Sequence, residues 1–268
     1  MKVVDAFIYN GELPQLKLRL AELAPIVDRF VIVEADRTFT GLEKPYYFAE
    51  QAAQLDKDWL KKVLYDACEL PLFEDDPWQA EKVLRDEIEV ATAEYSDDDY
   101  ILVSDVDEIP SAKAVEKAVK LEGVIGIVQR LSYYWLNCVC DYEEPYTRGA
   151  KLGYLRDVGG NQFRRWGKQP YSSEPLTRWI YGGWHFSCQG GVLELQRKLR
   201  SFSHTELCRP PYTDLNYLRE CMVMPRDLLD RPTHRWRFVP LDETFPKYLQ
   251  EHAEEFIENL WMLVYRIS

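Results

Sequence analysis

Apolar residues fall first into short runs separated by amphipathic stretches. Val3 to Tyr9 and Arg29 to Ala35 (RFVIVEA) are rich in β-branched residues and read as strands, while Leu13, Leu16, Leu20 and Leu23 between them keep helical spacing. That is a βαβ unit. A second helix is predicted after Asp76, with Pro77 in its first turn and Trp78, Leu84, Ile88 and Ala91 on one side. It leads into the strand Tyr100 to Ser104 (YILVS), and a helix from Ser111 to Leu121 follows. Beyond the strand-like run Val124 to Tyr134, an aromatic and basic stretch to Tyr181 reads as loops and extra strands over the sheet. The tail reads as helical from about Pro246 to Trp261. Strands alternating with helices predict an α/β protein with a mostly parallel central sheet flanked by helices, whose ligands gather at the carboxyl ends of the strands. With no repeat and no linker, residues 1–268 read as one domain.

At 268 residues and 46% hydrophobic content the chain can bury a full core without disulfides. Eight Trp and 17 Tyr exceed what bulk packing needs. A net charge of -12 argues against a general nucleic-acid binder, which must neutralise phosphates with Lys and Arg. The charge is uneven, however: from Arg148 to Arg200 ten Lys or Arg face three acids. A basic middle in an acidic chain suits a small anionic ligand, with a metal completing the neutralisation; the plain alternative is a chance cluster on a solvated face. The six cysteines show no CxxC pair and read as reduced thiols. No apolar run approaches the ~20 residues of a membrane span. Met1-Lys2 runs straight into the first strand, so a cytoplasmic protein is expected.

The candidate chemistry is Ser104-Asp105-Val106-Asp107-Glu108, directly after an apolar strand. Alternation sends Asp105 and Asp107 to the same side, and two carboxylates facing one point suit Mg²⁺ or Mn²⁺ bound together with substrate phosphates. Out of context, Asp-x-Asp is common and acidic turns are ordinary. Either His185, beside the paired glycines Gly182 and Gly183, or His204 would complete a metal shell; a hydrogen-bonded structural histidine is the competing reading. Arg85 on the second helix and Arg37 after the second strand are within reach of phosphate or base, against plain solvation. Trp135, Trp166, Trp179 and Trp184 are candidates for stacking on sugars, against ordinary packing.

In this order the chain resembles glycosyltransferase family 17. The residues that carry the resemblance are Val4-Asp5-Ala6-Phe7 with Asn10 and Glu12-Leu13, the string Phe30 to Gly41 (FVIVEADRTFTG), and Asp105 to Pro110 (DVDEIP). Gly183-Trp184-His185-Phe186-Ser187 and Leu215-Asn216-Tyr217-Leu218 complete the set. The resemblance implies a GT-A-type fold, a UDP-N-acetylglucosamine donor, a divalent metal, and transfer with inversion to a carbohydrate acceptor. Residues 1–123 would then bind the nucleotide, and 124–268 the acceptor. The donor is expected over the ends of the first two strands, around Phe7 to Asn10 and Glu34 to Arg37, with Arg85 and Asp105 nearby. Inversion needs a carboxylate base, for which Glu206 is the first choice, with Asp214, Glu174 and Asp157 behind it. A polysaccharide, lipid-linked oligosaccharide or small glycoside is the expected acceptor. Two rivals remain: a phosphatase or phosphotransferase with Asp105 as nucleophile, and a carbohydrate-binding protein without activity.

Overall fold

The computed structural model describes residues 1–73, 76–168 and 175–261. Among the described residues nine strands form one sheet: β1 (Val3–Ile8), β2 (Arg29–Ala35), β3 (Val63–Cys68), β4 (Tyr100–Asp105), β5 (Glu108–Pro110), β6 (Ile125–Tyr133), β7 (Cys138–Lys151), β8 (Arg178–Ser187) and β9 (Trp236–Phe238). Their order is β3-β2-β1-β4-β7-β6-β8-β5, with β9 pairing β7. The first four strands run parallel, and antiparallel pairing begins where β7 joins β4. The predicted α/β class therefore holds, with β1 to β4 parallel and β6 and β8 forming a further parallel pair among the antiparallel strands.

Alternation along the strands splits the parallel core into two layers. Phe7, Phe30, Ile32 and Leu102 pack with Leu16, Leu20 and Leu23 of the Leu13–Leu23 helix. On the opposite face, Val4, Ala6, Val31, Val33, Ile101 and Val103 meet Leu84 and Ile88 of the Pro77–Ala91 helix. That second helix begins as expected: Asp76 accepts from the Gln79 N–H and Pro77 occupies the first turn.

Three stretches depart from the sequence expectation. β3 has no counterpart in it, because an edge strand that is only half buried (VLYDAC) carries no clear alternation. The stretch expected over the sheet instead contributes β7, fourteen residues long, to its middle; Asp141, Glu143 and Glu144 on it disguise a strand whose far end is buried against β4 and β6. The tail divides into the Lys247–Glu251 helix and a 3₁₀ segment, Ala253–Asn259. Among the described residues no helix is long and apolar enough to cross a membrane.

One buried cation fixes the turn after β4. Arg19 and Asp5 form an ion pair at 2.6 Å with both side chains fully buried. The rest of the Arg19 guanidinium donates to the backbone carbonyls of Asp105 (2.8 Å) and Glu108 (3.0 Å) and to Ser104 Oγ (2.8 Å). The turn is thus held from beneath, by its main chain, which leaves its carboxylates free to face the other way. β5 is pulled in from the other side: a Cβ at Gly183, whose φ is +124°, would lie 2.3 Å from the Ile109 carbonyl oxygen, so only glycine lets β8 approach β5 this closely.

Replacing Arg19 with Met should cost about 3–5 kcal/mol, since it strands Asp5 as an unpaired buried charge. Urea unfolding measures this; a loss below about 1 kcal/mol would mean that other groups hold the turn.

Candidate functional site

At the carboxyl ends of β1, β2 and β4 lies a cleft of about 440 Å³, large enough for a nucleotide-sized ligand. Its floor is the acidic turn Asp105 to Glu108, and its walls come from four places. The loop after β1 gives Asn10 and Glu12, and the loop after β2 gives Arg37, Thr38 and Phe39. The Pro77–Ala91 helix supplies Trp78, Glu81 and Arg85; Tyr146, Arg164, Arg165, Lys168 and Lys198 arrive from the second half of the chain.

Each carboxylate of the floor has its own cation. Both oxygens of Asp105 accept from Arg85, at 2.9 and 3.1 Å, and Arg164 stands 3.7 Å away. Arg164 also pairs with Glu108, and Arg85 with Glu81. Asp107 Oδ2 is 2.8 Å from Lys198 Nζ, and its Oδ1 is 3.6 Å from His185 Nε2. Burial alone would raise the pKa of Asp107, but Lys198 and then His185 outweigh it and hold the carboxyl well below its ordinary range. Asp105 is likewise lowered, because Arg85 and Arg164 overcome its burial. For Glu108 and Glu12 burial wins and the pKa is raised. Glu12 makes no ion pair among the described residues; its Oε2 accepts from the Asn10 N–H at 3.0 Å.

A divalent ion that also binds substrate phosphates needs only one or two protein carboxylates. Asp107 fits that role: it is ionised, lines the cleft, and already has a positive charge at bonding distance. Asp105 lines the cleft beside it but is occupied by two guanidinium groups. Among the described residues no three His, Cys, Asp or Glu side chains gather as a metal-binding group; of the two expected histidines, the one beside Asp107 is His185. His185 is a neighbour of Asp107 because β5 pairs with β8. His204 lines the cleft but bonds Glu206 at 2.7 Å and stands edge-on to Trp78.

Of the expected donor contacts, Asn10, Arg37, Arg85 and Asp105 line the cleft. Phe7 does not: it is fully buried against the Leu13–Leu23 helix, with the Arg19 guanidinium 4.3 Å from its ring. Glu34 is also fully buried, where it accepts from Lys44, from the Tyr47 and Phe48 N–H groups and from the Tyr65 hydroxyl. It fastens the loop after β2 and does not line the cleft. Neither expected base reaches the cleft. Glu206 is exposed at the rim, paired with His204, and Asp214 caps the Leu215–Val223 helix by accepting from the Asn216 and Tyr217 N–H groups. Asp157 lies on the Leu152–Val158 helix away from the cleft lining, and Glu174 lies outside the described residues. The four tryptophans do not line the cleft either; Trp184 and Trp135 spend their indole N–H groups on the Thr244 and Met222 carbonyls.

Glu12, Glu81, Arg164, Lys198, Tyr146 and Trp78 were not singled out for ligand binding from the sequence. Arg164 and Lys198 belong to the basic segment Arg148 to Arg200, which does concentrate charge on one place, as an anion site would require. Glu12 is among the residues that carry the family resemblance, but the sequence assigns it no role.

Residues 1–251 match the model of glycosyltransferase family 17. The chain belongs to that family. Among its relatives is the beta-1,4-mannosyl-glycoprotein 4-beta-N-acetylglucosaminyltransferase of Rattus norvegicus, 30% identical over 294 residues, an alignment covering 95% of this chain and 54% of the relative. The Homo sapiens protein of the same name is also 30% identical, with the same coverage. The chain thus spans about half the length of these relatives. Among solved structures, HddC from Yersinia pseudotuberculosis is a weak likeness: TM-score 0.39, 12% identity, 69% of this chain and 91% of that one. The layout of this family 17 chain is GT-A-like in its own topology, with a parallel N-terminal sheet and an acidic turn after β4 facing a cleft at the strand ends.

Because Arg164 is the counterion of the buried Glu108, Arg164→Met should lower stability by about 3 kcal/mol, and adding Glu108→Gln should recover much of it. Urea midpoints of the two single variants and the double variant check this; strictly additive losses would show that the pair does not interact.

Proposed function

We propose that this protein transfers N-acetylglucosamine from UDP-N-acetylglucosamine to a carbohydrate acceptor, with inversion at the anomeric carbon. The observation that carries the reading is the meeting of the family's acidic turn with Arg37, Arg164, Arg165, Lys168 and Lys198 in one cleft of an otherwise acidic chain. A diphosphate needs such cations, and a neutral glycan alone does not. Asp105 as a phosphatase nucleophile is disfavoured because Arg85 binds both of its oxygens.

Asn10 and Arg37, at the ends of β1 and β2, are assigned to the nucleoside. Asn10 Oδ1 is buried without a hydrogen-bond partner, which suits an acceptor for a ribose hydroxyl or a base N–H. Asp107, with Asp105 beside it, would hold Mn²⁺ or Mg²⁺, and the bound ion would offset charge growing on the departing diphosphate. The base is reassigned to Glu12. Of the cleft carboxylates Glu12, Glu81, Asp105, Asp107 and Glu108 it is the one without an ion pair among the described residues. Its raised pKa, caused by burial, makes it a better proton acceptor once ionised. Because the relatives' name specifies a mannosyl-glycoprotein, mannosides are the acceptors to try first.

Calorimetry should detect UDP binding that Mn²⁺ strengthens in the wild type and no longer strengthens in Asp107→Ala; no binding under any condition would sink the donor assignment. With a mannoside acceptor that supports transfer, Glu12→Gln should cut turnover by ~10²-fold or more while leaving UDP affinity nearly unchanged. The wild-type rate should rise with pH through the raised Glu12 pKa, and that limb should vanish in the variant. A turnover equal to wild type would send the search for the base elsewhere.

A further inference from the structure

The cations on the acidic turn are not equivalent. Arg85 is tied to Asp105 and Glu81 together, and Arg164 to Glu108 with Asp105 nearby; their side chains are 11% and 9% exposed. Among the described residues Lys198 has a single ion-pair partner, Asp107, and its side chain is 30% exposed at the cleft. A compact ammonium on a four-carbon stem can exchange one oxygen for another by rotating a few bonds, whereas a guanidinium shared by two buried acids cannot leave without stranding one of them.

The helix that carries Lys198, Gly191–Ser201, is placed to make use of such an exchange. Leu195 and Leu199 seat it on Leu218 and Cys221. Its two polar neighbours of Lys198 grip both loops of the nucleotide end: Arg197 donates to the Asn10 carbonyl at 3.2 Å, and the Arg200 carbonyl accepts from Thr40 Oγ1 at 2.9 Å. The Lys198 backbone is therefore fixed over the ends of β1 and β2, and an exchange of partner would need only its side chain to rotate.

Resting on the UDP-donor reading above, we propose that Lys198 is an exchangeable counterion, which neutralises Asp107 in the free protein and moves to the nucleotide's diphosphate when a divalent cation takes over Asp107. Two consequences follow from this swap. In the absence of nucleotide, Lys198 competes with the metal for Asp107; with nucleotide present, the displaced ammonium adds a charge-assisted bond to phosphate and so favours joint loading of metal and donor. Neither half of the site would then load fully alone.

The test uses the whole chain with Mn²⁺ and UDP as probes, by calorimetry. Lys198→Met should bind Mn²⁺ alone roughly tenfold more tightly than wild type, and UDP at saturating Mn²⁺ roughly tenfold more weakly, the scale of one hydrogen bond to a charged group. Asp107→Asn provides a second arm that keeps the lysine: with the ammonium released, UDP should bind without metal several-fold more tightly than it binds metal-free wild type. Opposite changes in the two Lys198→Met affinities, together with the gain in Asp107→Asn, support the exchange. Wild-type affinities within twofold for Lys198→Met, or no metal-free gain in Asp107→Asn, overturn it while leaving the donor reading intact. A wild type that binds no UDP with or without Mn²⁺ defeats both.

Discussion

The site depends on the fully buried Arg19 guanidinium and its pairing with Asp5. A turn bearing Asp105, Asp107 and Glu108 would repel itself apart if only its side chains were considered. Arg19 solves the problem from below, by binding the carbonyls of Asp105 and Glu108 rather than their carboxylates. The carboxylates are left for a second layer of cations, and only that second layer faces the cleft. Structural and functional charge are thereby separated by the thickness of one peptide chain.

This two-layer arrangement also accounts for the uneven charge along the sequence. The acids of the turn come from the end of β4, while Arg164 and Lys198 come from 56 or more residues further along the chain. A segment rich in Lys and Arg looks like a solvated surface when read linearly, yet part of it is spent on neutralising a buried acidic floor. Lys168 and Arg37 also line the cleft, each beside an acid of its own, Glu144 at 3.4 Å and Asp36 at 3.2 Å.

Much of the parallel half was legible in the sequence because its elements obey simple periods: β1, β2, β4 and the Leu13–Leu23 and Pro77–Ala91 helices fall within a residue or two of expectation. The acidic turn was legible because it follows a strand that could only be buried. The donor contacts were half legible. Asn10 and Arg37 lie where the chain leaves a strand, but Phe7 and Glu34 lie within β1 and β2, and a residue inside a strand faces a packed layer rather than the cleft. Glu206 and Asp214 lie in or at the start of short helical segments, and nothing in their sequence neighbourhood shows which way those segments point. Lys198 sits on an amphipathic helix like any other, and only the tertiary packing of that helix reveals its partner.

The grip of the Gly191–Ser201 helix on the loops after β1 and β2 joins residues 187 and 160 positions apart. The cleft is therefore a property of the closed chain. During synthesis the parallel strands and the acidic turn emerge, with Arg85 beside Asp105, well before Arg164 and Lys198, so in the nascent N-terminal half Glu108 and Asp107 would still lack their counterions. Ligand binding at this site would then reward the last long-range contacts to form, and the donor would act as a late stabiliser of the completed fold.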